Sequence, residues 1–101
     1  GRKLAKLVAD KILKTFRHLR RSDVRVAGTG VNGPDLRLSR IAKRLVPYQF
    51  ECKAQNRLKT VWKWKRQSEK NTNLDGVLVM KSNGKKPLVV IDMDLFFDLI
   101  K

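Results

Sequence analysis

The chain has 101 residues, enough for one domain spanning 1–101, and its 42% hydrophobic and 33% charged residues exclude a disordered basic tail. Twenty basic and five acidic residues lie in 1–71, whereas 72–101 holds four of each, so the whole net charge of +15 comes from the first part. No apolar run approaches the roughly 18 residues that a membrane span requires, and a single cysteine excludes an intramolecular disulfide and a cysteine zinc cluster. This concentration of one sign favours a polyanionic partner, nucleic acid first and an anionic membrane surface second.

The first half of the chain predicts a long helix, two short strands and a short helix. Apolar residues recur at helical spacing over 4–19, with lysines between them, which predicts an amphipathic helix. Residues 24–26 and 36–38 alternate as strands on either side of a flexible glycine-containing loop over 28–33. Ser39 is placed to cap a short helix that ends at Leu45.

The second half predicts a strand, a helix, a hairpin and a last helix, over residues 48–53, 56–70, 77–80 with 87–91, and 94–101. The inner stripe of the middle helix is Leu58, Val61 and Trp62. Ser82-Asn83-Gly84 indicates the hairpin turn, because Asn-Gly accepts the positive φ that such turns require. The predicted fold is therefore α/β, a mixed central sheet flanked by helices in the order α-β-β-β-α-β-β-α.

Three charged residues lie in or beside predicted strands that are otherwise mostly apolar, and their presence there needs a reason. Glu51 and Lys53 are two apart in a predicted strand, so both leave the same face of the sheet, while Cys52 points to the other. Asp35 begins the preceding strand, directly after Pro34. If the two strands are neighbours, both carboxylates can converge on one divalent cation.

Phosphodiester hydrolysis explains this choice of residue types. The reaction needs a nucleophilic water, charge neutralisation at phosphorus and stabilisation of the leaving alkoxide. Carboxylate oxygens hold Mg²⁺, which keeps several waters and binds phosphate oxygens. A lysine beside them positions or helps to deprotonate the attacking water and offsets developing negative charge. The pattern favours a metal-dependent endonuclease.

Pro34-Asp35, followed after fifteen residues by Glu51-Cys52-Lys53, resembles the PD-(D/E)xK nuclease signature. The predicted order of helices and strands is similar to that superfamily's core. The stretch 24–30, leading into Pro34-Asp35-Leu36, resembles archaeal Holliday junction resolvases, which carry Gly-Ser-Gly in a mobile loop before the metal-binding aspartate. Phage proteins with a similar Glu-Cys-Lys, then Trp, then Gln run are also similar. The resemblance covers roughly residues 4–90.

The resemblance implies roles for individual residues. Asp35 and Glu51 would be metal ligands, with Mg²⁺ as the ion and Mn²⁺ as its substitute, and Lys53 would be the catalytic lysine. Thr29 would supply the loop hydroxyl beside the scissile phosphate. Cys52 joins the candidate metal set, although its residue type alone favours a small buried hydrophobe. Arg25 stands where a phosphate-contacting arginine is expected. Gln55 and Gln67 are candidates for residues that support the metal ligands from behind. The candidate DNA contacts are Lys3, Lys6, Arg25, Arg37 and Gln55.

One position departs from the resolvase pattern. Resolvases of this type carry a glutamate in the first helix that points at the metal, and the corresponding position here is Ala5. Asp10 is the only acid in that predicted helix, and it lies nearly opposite the apolar stripe. We therefore expect Asp10 to be a solvated ion-pairing residue, and the site either to bind the metal more weakly or to use fewer protein ligands.

Simpler interpretations compete with each of these assignments. Glu51 and Lys53 also fit an ordinary surface ion pair across a half-exposed sheet. Glycines at 28, 30 and 33 match the dinucleotide-binding pattern, but that site needs a helix to begin at the third glycine, where a strand is predicted. Trp62 is predicted in the core and Trp64 half-exposed or in contact with a partner, and His18 is predicted on the polar surface.

The functional expectation is a structure-selective DNA endonuclease, a Holliday junction resolvase acting on four-way or other branched DNA. Two symmetric cuts require two active sites, which predicts a homodimer. An intracellular location, in a prokaryotic cell or a phage- or virus-infected host, is the simplest expectation. The alternatives are a nicking or repair nuclease of the same fold and a non-catalytic, basic nucleic-acid-binding module.

Overall fold

The structure, a computed structural model, describes residues 2–28, 30 and 33–101. Over these residues the protein is a small mixed α/β fold with four α-helices and two separate two-stranded antiparallel sheets. The elements are α1 (Arg2–Thr15), a 3₁₀ turn (Arg21–Asp23), β1 (Val24–Val26), β2 (Leu36–Leu38), α2 (Arg40–Leu45), α3 (Lys59–Ser68), β3 (Leu78–Met80), β4 (Leu88–Val90) and α4 (Met93–Ile100). The α/β class is confirmed, whereas the described strands pair in two small sheets in place of one mixed central sheet.

The chain divides into two compact units. Unit 1 comprises Gly1–Ala54 with Phe97–Lys101, and unit 2 comprises Gln55–Phe96. Within the described ranges, no helix is both long enough and apolar enough to cross a membrane.

Helix α1 supplies one side of the core of unit 1. Its buried residues, Ala5, Val8, Ala9 and Ile12, recur three or four positions apart, as the sequence predicts for an amphipathic helix. The helix ends at Thr15, earlier than the predicted position 19. Leu7, an apolar residue of this helix, is exposed and takes no part in the core.

Strands β1 and β2 lie at the predicted residues and form an antiparallel pair that contacts this helix through β1. Their register aligns Val24 with Leu38, Arg25 with Arg37, and Val26 with Leu36. Val24 and Leu36 are buried, while both arginines are exposed on the opposite face. The alternation of apolar and basic residues therefore places two cations side by side on the outer surface.

A small polar network joins the 3₁₀ turn to α2. Ser39 caps α2 as predicted, because its Oγ accepts a hydrogen bond from the Ala42 backbone N–H at 3.2 Å. The same hydroxyl donates to Asp23 Oδ1 at 2.8 Å, and Asp23 Oδ2 accepts from the Arg20 N–H at 2.7 Å. These bonds, first from Arg20 and then from Ser39, hold the pKa of Asp23 below its usual value.

The predicted strand over 48–53 is wrong as a strand, since the structure has no regular secondary structure there. The predicted alternation of faces is nevertheless present, with Cys52 buried and both neighbours exposed. Phe50 stacks on Phe97 with ring centroids 6.2 Å apart, which closes the core of unit 1. This irregular segment is thus held by side-chain packing and by hydrogen bonds to Asp35, directly before β2, which are described below.

Unit 2 is built from α3 and the hairpin of β3 and β4. The hairpin register aligns Val79 with Val89, and the Lys85 N–H donates to the Ser82 carbonyl in the predicted turn. Gly84 alone carries the positive φ there, +75°. The predicted core position of Trp62 is wrong, because its side chain is 52% exposed.

The buried position of α3 is occupied by a lysine. Lys65 is 3% exposed and lies on the predicted stripe, one turn beyond Val61 and three residues beyond Trp62. Its ammonium group pairs with Glu69 and lies 3.5 Å from Asp92 Oδ1, which raises the pKa of Lys65. In unit 2, an ion-paired group thus occupies the place where an apolar side chain is expected.

Candidate metal and nucleic-acid site

The two parts of the sequence motif meet at Asp35. The Asp35 N–H donates to the Phe50 carbonyl at 3.3 Å, and the Cys52 N–H donates to Asp35 Oδ2 at 2.6 Å. In a parallel ladder, the two chain neighbours of one residue both bond to a single residue of the next strand. Phe50 and Cys52, the neighbours of Glu51, bond to Asp35 in this way, except that the bond from Cys52 goes to the side-chain carboxylate of Asp35 and not to its backbone carbonyl. On its other side, the Asp35 carbonyl accepts from the Ala27 N–H at 2.9 Å.

Glu51 and Lys53 extend from this segment into solvent. Lys53 Nζ lies 3.4 Å from Glu51 Oε1, and the two side chains are 75% and 65% exposed, respectively. This geometry equally describes the simpler interpretation, an exposed ion pair of small energetic value. The position of the pair beside Asp35 is what favours an active site over an ordinary surface ion pair.

Cys52 points away from this surface. Its residue is buried, and burial first, then the nearby Asp35 and Glu51 carboxylates, raise the pKa of its thiol. A thiol must lose its proton to bind a metal ion, so this surrounding disfavours Cys52 as a ligand. Among the described residues, no group of three or more His, Cys, Asp or Glu side chains could hold a metal ion, so Asp35, Glu51 and Cys52 are not brought together as one cluster.

Basic side chains surround the start of β1. Arg25 and Arg37 are direct cross-strand partners on the exposed face, where like charges repel unless an anion lies between them. Arg25 also lines a groove of about 460 Å³ beside α1. The cations lining that groove are Arg2, Lys6, Arg21 and Arg25.

One acid lies among these cations. Asp10 Oδ1 is 3.8 Å from the Arg21 guanidinium, so the prediction that Asp10 is a solvated ion-pairing residue is confirmed. Arg2 and Arg21 were not singled out from the sequence, although both precede or follow a predicted helix, where a side chain can reach a helix–strand groove. Of the other predicted contacts, Lys3 is exposed on α1, and Gln55 is exposed at the start of unit 2.

The loop between β1 and β2 contains the remaining prediction. Thr29 lies outside the described residues. Gly30 and Gly33 have φ of +78° and +112°, a region open chiefly to glycine. Strand β2 begins three residues after Gly33, so the helix that a dinucleotide site requires at this point does not form.

Comparison of the chain with protein-family models, with curated proteins and with solved structures finds no match.

Proposed function

We propose that the protein is a metal-dependent DNA endonuclease of the PD-(D/E)xK type, with Asp35, Glu51 and Lys53 as its active-site residues. The observation that carries the proposal is the 2.6 Å hydrogen bond from the Cys52 N–H to Asp35 Oδ2. It joins the aspartate of the motif to the middle of its Glu-Cys-Lys segment. An ordinary surface ion pair has no need of a second acid beside it.

The donor set suits magnesium better than it suits a softer metal. Mg²⁺ is commonly bound through one or two carboxylates, with waters and substrate phosphates completing its shell. Asp35 and Glu51 supply two such groups, and one oxygen of Asp35 is already committed to the Cys52 amide. When bound, the ion would neutralise phosphate charge and supply a nucleophilic water near neutral pH. Two carboxylates without a first-helix acid predict weak metal affinity in the absence of DNA.

Lys53 has a role that its position suggests directly. Its ammonium group lies beside Glu51 and is largely exposed, so a phosphate entering from solvent can reach it. There it would orient the attacking water and offset the charge that develops on the phosphoryl oxygens. Exchange of the Glu51 partner for a phosphate would cost little, since exposed ion pairs contribute little.

Backbone recognition fits the charges around this site. The groove beside α1 and the pair Arg25 and Arg37 offer several cations and one acid, Asp10. Such a surface reads phosphate positions rather than bases, which favours a substrate recognised by shape. We therefore propose branched DNA, and a four-way junction in particular, as the preferred substrate, cut by a homodimer with two symmetric sites.

A non-catalytic nucleic-acid-binding module explains the charge of +15 equally well. It gives no reason for Asp35 and Glu51 beside a phosphate-binding surface, where carboxylates repel DNA unless a cation intervenes. A nicking or repair nuclease of the same fold shares the active site and differs only in the substrate.

The test is cleavage of junction, flap, duplex and single-stranded DNA with Mg²⁺, with and without EDTA. We expect EDTA-sensitive cutting that is greatest on the junction and is lost in Asp35→Asn and in Glu51→Gln. Asn keeps an oxygen that can accept from the Cys52 N–H, so the fold should survive the first substitution. DNA binding by both variants should persist or tighten, because each removes a negative charge.

The matched control is Asp75→Asn, which makes the same chemical change at an exposed position outside the motif. It should cut at the wild-type rate. Cutting by Asp35→Asn or Glu51→Gln at that same rate would refute the active site. Equal cutting of junction and duplex by a monomer would leave the nuclease assignment intact and remove the junction preference.

A further inference from the structure

Unit 2 contains a second pocket, formed by α3 and the hairpin. It has a volume of about 690 Å³, within the range of small-ligand sites. Trp64 lines it from α3, and Leu88 lines it from β4. Lys81, Lys85 and Lys86 line it from the connection between the two hairpin strands.

The charge of this pocket is one-sided. Residues 72–101 hold four basic and four acidic residues, yet three of the four bases line the pocket and none of the acids does. Lys81 bonds only weakly to a carbonyl, that of Ser82, at 3.5 Å. Three lysines that line one pocket without a carboxylate attract an anion, and this excess of positive charge is local, because residues 72–101 are neutral overall.

The aromatic ring in the pocket is accessible as well. Trp64 is 42% exposed, and the neighbouring Val79 and Leu88 side chains are also exposed. Proteins that bind single-stranded nucleic acid combine aromatic side chains, on which bases stack, with cations that contact the phosphates. An exposed indole beside lysines offers both. An apolar peptide would use the ring but leave the lysines without partners.

We infer that this pocket binds an unpaired nucleotide of single-stranded nucleic acid, with the base stacked on Trp64 and the flanking phosphates held by Lys81, Lys85 and Lys86. The site is separate from Asp35 and Glu51 in the chain and involves no cleavage. The inference therefore goes beyond the proposed nuclease function and stands or falls independently of it.

The two tryptophans of the chain make the test specific. Trp62→Phe leaves Trp64 as the only indole, and Trp64→Phe leaves Trp62. Tryptophan fluorescence is followed while ten-nucleotide oligo(dT) or oligo(rU) is added in the presence of EDTA. The fluorescence of Trp62→Phe should be quenched to saturation, and that of Trp64→Phe should stay nearly unchanged. Quenching confined to Trp62, or none with either oligonucleotide, overturns the proposal.

Affinity gives a second readout. Trp64→Ala should weaken oligonucleotide binding by about 5- to 150-fold, the loss of one stacked base. The logarithm of the binding constant falls linearly with the logarithm of the salt concentration, by roughly 0.7 per single-strand phosphate contact. Replacing Lys81, Lys85 and Lys86 by Gln together should therefore make this slope shallower by about 2. Circular dichroism confirms that each variant remains folded.

The matched control replaces Lys59, Lys63 and Lys70 by Gln, removing three cations that do not line the pocket. It should change the slope much less than the pocket triple. Equal effects of the two triple variants would show attraction by net charge alone and overturn the site. Binding of an acidic peptide as tightly as the oligonucleotide would assign the pocket to a protein and also overturn it.

Discussion

The two units differ in the kind of side chain that they bury. Every buried hydrophobic residue in the described part of the chain belongs to unit 1, where Ile12, Val46 and Phe97 are fully enclosed. In unit 2 the buried side chain is that of Lys65, and eight large apolar residues are exposed. Unit 1 has an apolar core, whereas the buried side chain of unit 2 carries an ammonium group with acidic partners.

This difference separates stability from surface chemistry. The proposed nuclease residues lie on the well-packed unit, which suits a site whose groups must be held in fixed positions. The exposed tryptophans lie on the unit with little apolar burial, where ring surface remains available to a ligand. Substitutions in each unit can test whether the contrast is real.

The largest expected effect is that of Phe97→Ala. The side chain is 1% exposed and stacks on Phe50, so the variant should lose about 3–5 kcal/mol of unfolding free energy. Urea denaturation measures this loss. Leu99→Ala on the same helix is the control, because Leu99 is exposed and should change stability by no more than about 0.5 kcal/mol. Equal losses would refute the apolar core of unit 1.

The second effect is that of Lys65→Met, which removes the charge that Glu69 and Asp92 share. The raised pKa of Lys65 means that its stabilisation is complete below its unfolded-state pKa and is lost as the pH rises through the higher folded-state value. The variant should be less stable than wild type at pH 7 and approach it in strongly alkaline solution. Thermal unfolding at both pH values measures the difference.

Lys63→Met is the control for that experiment, since Lys63 lies on the same helix and is exposed. It should leave both the stability and its alkaline limb unchanged. A Lys65→Met protein as stable as this control at pH 7 would contradict an ionic core in unit 2.

A smaller effect is expected for Gly76→Ala. Gly76 is buried against the end of α3, and a Cβ there would overlap the side chains of Ser68 and Glu69. Overpacking of this kind costs about 1–3 kcal/mol. Combination with Ser68→Ala should cost less than the sum of the two single changes, a coupling that a double-mutant cycle detects. Strict additivity would mean that the close approach is absent.

The smallest effect is that of Asp23→Asn on the acid limb of stability. The lowered pKa of Asp23 provides stabilisation that is present above its unfolded-state pKa and is lost as the pH falls through the folded-state value. The variant should be less stable at neutral pH and converge with wild type as the pH falls through the folded-state pKa of Asp23. Asp75→Asn, an exposed loop change, should follow wild type throughout; divergence that persists at low pH would contradict the assigned cause.

The sequence predicts most of unit 1 because its signals there are local. The alternation around Arg25 and Arg37 predicts both strands to the residue, and Ser39 predicts the start of α2. The segment around Glu51 shows the limit of such signals. Period-two alternation predicts which side chain is buried, but a strand also needs a continuous backbone partner, and here an aspartate side chain supplies one of the bonds.

Unit 2 is less predictable for a different reason. The helical period predicts an inner stripe of Leu58, Val61 and Trp62 on α3, but Leu58 and Trp62 are exposed, and the buried residue is Lys65, one turn beyond Val61. What the period leaves open is which residue of that face is covered most deeply. Glu69, four residues after Lys65, is the available sequence signal, but Asp92 becomes a partner only through the fold.

The hydrogen bond between Cys52 and Asp35 makes one amide proton a direct spectroscopic reporter. Because the Cys52 amide nitrogen lies 2.6 Å from a carboxylate oxygen, its proton should resonate far downfield of the other backbone amides. A divalent cation drawing electron density from the carboxylate would weaken the bond and move that signal upfield. A single ¹⁵N-labelled cysteine, the only one in the chain, would therefore follow cation arrival at Asp35 before any nucleic acid is added.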